Sequence, residues 1–265
     1  MKTKIRPHHQ QGIDNLVAEY KNDPRFIALI IGGSVAKGCA RADSDIDFMI
    51  VATDKVFDER KAKSNLFINR TNLTDYAGGF VDGKIIDMAY LEMVDKKGNE
   101  PTRAAFDGAF VAFSKMEGLD RLIERIGQYP EELRCDKLKS FYAMSFIQNW
   151  LMNEAERHNN RYTKSRAASQ LVLFAGRLIL AHNRIFFPYH KWFYEYLGRC
   201  REKPEGLMHL MDTLLREPNA KHSATLFQAI KGFQDWGVSD IEAFSWFMEE
   251  VEWGWVKNKA SLEDW

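Results

Sequence analysis

The alternation of apolar and polar positions divides the chain into two parts. Residues 8 to 21 carry Ile13, Leu16, Val17 and Tyr20 at helical spacing, which predicts an amphipathic helix ended by Asn22-Asp23-Pro24. Phe26-Ile27-Ala28-Leu29-Ile30-Ile31 is a short, Ile-rich apolar run and reads as a buried strand. It ends in Gly32-Gly33-Ser34, a turn that opens a short helix, and a second apolar strand follows from Asp45-Ile46-Asp47 to Val51. Lys55 to about Ile68 is charged and predicts a surface helix. Phe80-Val81-Asp82-Gly83-Lys84-Ile85 has Asp-Gly between apolar residues, a hairpin signal, with Ile85 to Leu91 as the returning strand. A helix is expected around Pro101 to Phe106, a strand over Ala109 to Phe113, and a helix from Gly118 to Ile126.

Beyond Gly127-Gln128-Tyr129-Pro130 the pattern is almost wholly helical. Apolar residues recur every three or four positions over 131–157, 162–183, 188–199, 205–216, 222–235 and 239–257, with breaks at Pro188, Pro204, Pro218 and Gly237. The expected architecture is α/β (α+β). An N-terminal domain, residues 1–128, has a small mixed sheet flanked by helices, and residues 129–265 form a C-terminal helical bundle.

Charge sharpens the picture. The 265 residues carry 37 Lys+Arg and 37 Asp+Glu, so the chain lacks the basic excess of a typical nucleic-acid surface. Cys39, Cys135 and Cys200 are odd in number and show no C-x-x-C spacing, which favours reduced thiols over disulfides or a zinc site. The basic N-terminus is followed by no apolar signal core, and Gly176-Arg177 interrupts the longest apolar run. The expectation is a soluble, cytoplasmic protein; the sequence leaves its oligomeric state open.

The chemistry concentrates between residues 31 and 51. Side chains alternate faces along a strand, so Asp45 and Asp47 project the same way. Paired carboxylates repel unless a cation lies between them. Hard oxygen ligands of this kind suit Mg²⁺, which leaves positions for water and substrate phosphates. Gly33 lets the backbone approach a ligand, and the free N–H groups of the following helical turn favour a phosphate.

A Gly33-Ser34 turn after a strand, a spacer over residues 35–44, and Asp45-Ile46-Asp47 on the next strand resemble the signature of the DNA polymerase β-like nucleotidyltransferase superfamily. Ala36-Lys37-Gly38 resembles the Ala-Arg-Gly that follows the turn in its small-molecule branch, typified by aminoglycoside and other antibiotic nucleotidyltransferases, and Ser44 also fits. The resemblance covers the first half of the chain well and the second half loosely.

The resemblance implies a third carboxylate on the neighbouring strand. Asp87, in Ile85-Ile86-Asp87-Met88-Ala89, is the position that matches; Asp82 is assigned to the hairpin turn. It further implies two Mg²⁺ ions held by Asp45, Asp47 and Asp87, with ATP as the expected donor. Gly33 and Ser34 would hold the triphosphate, and Lys37 and Arg41 could neutralise its oxygens. In the helical half, Lys191 follows Pro188-Tyr189-His190 and is a candidate for the phosphates; Glu154 and Glu156 are alternative general bases. The implied reaction transfers a nucleoside monophosphate to a hydroxyl of a small polar acceptor. Modification of a protein or RNA end, and a catalytically silent nucleotide-binding protein, are the alternatives.

Overall fold

The computed structural model describes residues 5–257, so part of the basic start at Lys2 and Lys4 lies outside the described residues. The chain divides into two compact units, Met1–Tyr129 and Pro130–Trp265. Among the described residues, the first unit holds one five-stranded sheet. In chain order its elements are α1 (Pro7–Tyr20), β1 (Phe26–Ile31), α2 (Gly33–Lys37), β2 (Ile46–Ala52), α3 (Asp54–Ala62), β3 (Phe67–Arg70), β4 (Val81–Ile86), α4 (Met88–Lys97), α5 (Glu100–Phe106), β5 (Phe110–Ser114) and α6 (Leu119–Ile126). The strand order is β3-β4-β2-β1-β5. β2 and β4 run parallel, and every other neighbouring pair is antiparallel. This is the expected α/β architecture, a small mixed sheet flanked by helices and followed by a helical unit.

Each sheet face supports its own core. On one, Ile13, Leu16 and Tyr20 of α1 pack with Leu29, Ile31, Ile46, Phe48, Ile50, Val81 and Ile85. On the other, Leu91 and Val94 of α4, Phe106 of α5, and Leu119, Ile123 and Ile126 of α6 pack with Ala28, Ile30, Met49, Val51 and Ile86. The period of two along β2 and β4 produces this division.

Three expectations are corrected. The charged helix stops at Ala62, and the chain then forms β3 on the sheet edge. Asp82-Gly83 is no hairpin turn: both lie inside β4, one continuous strand. Gly83 is required for packing, since a Cβ there would lie 2.2 Å from the Phe48 ring of the adjacent strand. The strand expected to run on to Leu91 ends at Ile86, because the Asp87 carboxylate accepts from the N–H of Tyr90 at 2.7 Å and caps α4.

The second unit contains α7 (Arg134–Arg157), α8 (Arg161–His182), α9 (Phe193–Arg199), α10 (Leu207–Arg216), α11 (Ala220–Lys231), α12 (Asp240–Phe247) and a final turn α13 (Gly254–Lys257). α7 and α8 are its central pair; Ala143 and Ala155 face inward from one, Ala167, Ala168 and Ala175 from the other. No helix among the described residues is long and apolar enough to cross a membrane.

Candidate active site at the start of β2 and β4

The site is built by strand register. β2 pairs with β4 so that Asp47 lies level with Asp82, and Ile46 with Val81. In a parallel pair, level residues project to the same face. Asp47 shares its parity with Met49 and Val51, and Asp82 with Ile86, all of the second core. Asp45, two residues before Asp47, has the same parity. The three carboxylates are each half-buried. Burial pushes the Asp82 carboxyl above the usual carboxylate range, and the charge of Asp45 pushes it further; Lys84 opposes both. A cluster of this kind is stabilised by cations.

The Gly-Ser turn closes on the same point. Gly33 opens α2 at φ +62°, and a Cβ there would fall 1.8 Å from Oδ2 of Asp47. Only glycine permits this approach of turn to carboxylate. Gly32 N–H donates to the Asp47 carbonyl at 3.0 Å, tying β1 to β2 beside the site. Gly38 ends α2 at φ +69°, and its N–H bonds back to carbonyls within α2.

The structure brings Asp45 and Asp47 together with Asp82, not with Asp87. Asp87 lies five residues beyond Asp82, roughly 16 Å away at strand rise, just past the end of β4 where it caps α4. Gly33 and Ser34 sit at the site. Lys37 turns to the protein instead: its ammonium donates to the Ala104 carbonyl at 3.0 Å and lies 3.5 Å from Asp107. The Ser44 hydroxyl accepts from Arg41 N–H at 2.9 Å and braces the turn before β2. Arg41 itself pairs with Asp43 at 3.2 Å.

The helical-unit candidates have local roles. Lys191 is exposed in a turn at His190–Trp192, with Nζ 5.2 Å from the Trp192 ring centroid. Glu154 pairs with Arg157 at 3.0 Å. Glu156 bonds Lys164 at 2.9 Å and accepts from Ala220 N–H at 3.2 Å, so those two partners hold its carboxyl below the usual range. Among the described residues, no group of three or more His, Cys, Asp or Glu is drawn together as a ready metal cage. Asp47 and Asp82 share a face and the charge of Asp45 acts on Asp82, which makes a hard-oxygen donor set of the kind that suits Mg²⁺.

Sequence reasoning passed over Asp82 because Asp-Gly suggested a turn. The usable signal was parity: Val81, Ile85 and Asp82 alternate as a half-buried strand does. It also passed over Tyr76 and His9. The Tyr76 hydroxyl donates to the Ser44 carbonyl at 2.7 Å, and His9 Nε2 lies 3.1 Å from the same oxygen.

Residues 15–76 match the family model described as nucleotidyltransferase domain. Residues 104–193 match a second model, described as a domain of unknown function (DUF4037), which spans the division between the two units. No curated protein matches the chain. Among solved structures, the chain is similar to a nucleotidyltransferase-like protein from Exiguobacterium sibiricum 255-15. The identity is 11% over 92% of this chain and 79% of that one, and the TM-score is 0.51. That likeness speaks to the fold alone. The chain thus carries a nucleotidyltransferase domain over residues 15–76, and its enzyme class is nucleotidyltransferase.

Proposed function

We propose that the chain transfers a nucleoside monophosphate, AMP from ATP in the expected case, to a hydroxyl of a small polar acceptor such as an aminoglycoside-like compound, releasing pyrophosphate. The observation that carries the reading is the register of Asp47 against Asp82 with Asp45 beside them. Asp45, Asp47 and Asp82 would hold two Mg²⁺ ions, which when bound supply charge neutralisation at the triphosphate and acidify the acceptor hydroxyl. The protein's own part is positioning. The Gly33-Ser34 turn presents its backbone to the triphosphate, and the β2–β4 pairing holds Asp47 and Asp82 level beside it. The half-burial of Asp82 keeps its carboxylate poorly hydrated, which favours exchange of water for a cation. Acceptor selection is assigned to the helical unit.

The test is calorimetry of ATP, GTP, CTP and UTP with and without Mg²⁺, followed by pyrophosphate release against a panel of hydroxyl acceptors. ATP should bind only with the divalent ion, and Ser34→Trp should block it. Equal affinity with and without Mg²⁺ would refute the metal-carboxylate reading.

A further inference from the structure

We propose that His9 and Tyr76 are positioning residues that clamp the Ser44 carbonyl and thereby set where Asp45 presents its carboxylate. The inference rests on the reading above that Asp45 binds a metal ion. Residues 39–45, between α2 and β2, lie outside any helix or strand, so no ladder fixes them. The Ser44 carbonyl instead receives Tyr76 Oη at 2.7 Å and His9 Nε2 at 3.1 Å. These donors come from 32 and 35 positions away in the chain.

That oxygen belongs to the planar peptide joining Ser44 to Asp45. Two donors on it fix the orientation of the whole plane, and the far corner of that plane is the Asp45 Cα. A carboxylate beside Asp47 and Asp82 is pushed away from them by like charge. The clamp opposes that displacement before a cation is present to do so.

The chemistry of the donors agrees. A carbonyl oxygen only accepts, so His9 Nε2 carries the hydrogen, and in the neutral ring Nδ1 then has none. His9 is fully buried, and its Nδ1, like the buried Nε2 of neighbouring His8, has no hydrogen-bond partner among the described residues. A residue kept only for packing would be apolar here; an imidazole with one unmatched nitrogen is explained by the donor it supplies at the other. The Tyr76 ring packs against both imidazoles, tilted at 4.6 Å from His8 and edge-to-face at 5.2 Å from His9. Burial and the Asp45 charge both push the phenol pKa up, so Tyr76 remains a donor at neutral pH.

The experiment uses the full chain and Mn²⁺ as the probe, titrated in the presence of ATP and followed by electron paramagnetic resonance, with thermal unfolding of the metal-free protein in parallel. Tyr76→Phe keeps the packed ring and removes only the hydroxyl. It should weaken Mn²⁺ binding about fivefold, as loss of one hydrogen bond predicts, with little change in unfolding temperature. His9→Leu should act in the same direction. His9→Gln, whose amide can restore the donor, should return binding to within about twofold of the wild type. If Tyr76→Phe and His9→Leu both fold and bind Mn²⁺ as the wild type does, the clamp is overturned while the proposed function stands. A weakened His9→Leu that follows lost folding, with no rescue by Gln, overturns it equally. A wild type that binds no Mn²⁺ with ATP overturns the proposed function, and the clamp with it.

Discussion

Gly33→Ala puts one methyl group into the tightest point of the site. The built Cβ lies 1.8 Å from Oδ2 and 2.5 Å from Cγ of Asp47. Non-bonded carbon contacts settle near ~3.5 Å, so Asp47 or the turn must move by roughly 1.5 Å. Keeping a non-glycine residue at φ +62° adds about 1–2 kcal/mol of backbone strain. A displacement of ~1 Å at a reacting group can cost about 100-fold in rate. The expected result is a fall of a few degrees in unfolding temperature together with a loss of about 100-fold or more in pyrophosphate release. Gly118→Ala separates the two effects. It has φ +77° and nothing within 4 Å of a built Cβ, so it carries strain without the collision. It should lower the unfolding temperature similarly and leave transfer intact. Gly33→Ala activity within tenfold of wild type, or an equal loss in Gly118→Ala, would refute the reasoning.

Asp82→Asn should abolish metal-dependent nucleotide binding and stabilise the metal-free protein, because both burial and Asp45 act against its charge. Asp87→Asn, which keeps a good helix cap, should retain activity within about tenfold, and Asp87→Ala should lose about 1 kcal/mol of stability in denaturant titration; activity that follows Asp87 instead of Asp82 would reverse the assignment. Gly83→Ala forces a methyl to within 2.2 Å of the Phe48 ring and should destabilise the fold by about 1–3 kcal/mol, relieved by Phe48→Leu in a double-mutant cycle. Cys200 is buried with its thiol pushed up to about 11, so native iodoacetamide labelling should reach exposed Cys39 and Cys135 and spare Cys200, a pattern that intact-mass measurement checks directly.

The strongly periodic parts of the chain were legible before the structure. β1, α2 and β2 declare themselves through an Ile-rich run, a glycine turn and a strand headed by two aspartates, and the helical half through its apolar spacing. β3 escaped because Phe67 and Asn69 are exposed on an edge strand, so burial imprints little pattern on its four residues. Asp82-Gly83 misled for a physical reason: the pair favours tight turns locally, but here the glycine answers to a ring on the next strand, a tertiary requirement invisible along the chain. With the turn expected at Asp82-Gly83, Asp87 was the carboxylate expected to lie level with Asp47, a place that Asp82 takes in β4. The Ser44 clamp joins residues over thirty positions apart, and no local motif encodes such a meeting.

The parallel pairing of β2 with β4 also sets an order of events in folding. β1 and β2 are antiparallel neighbours joined by residues 32–45, whereas β4 can dock on β2 only after residues 53–80 have crossed over. Closing the longer loop costs more chain entropy and belongs later. Asp82 therefore meets Asp45 and Asp47 only after β1 and β2 have paired, and the repulsion burdens that later step instead of the β1–β2 pairing. Millimolar Mg²⁺ should then leave early protection of β1–β2 amides unchanged and speed the closing of β4. Pulse-labelling hydrogen exchange in which β4 amides are protected as early as those of β1 would contradict this order.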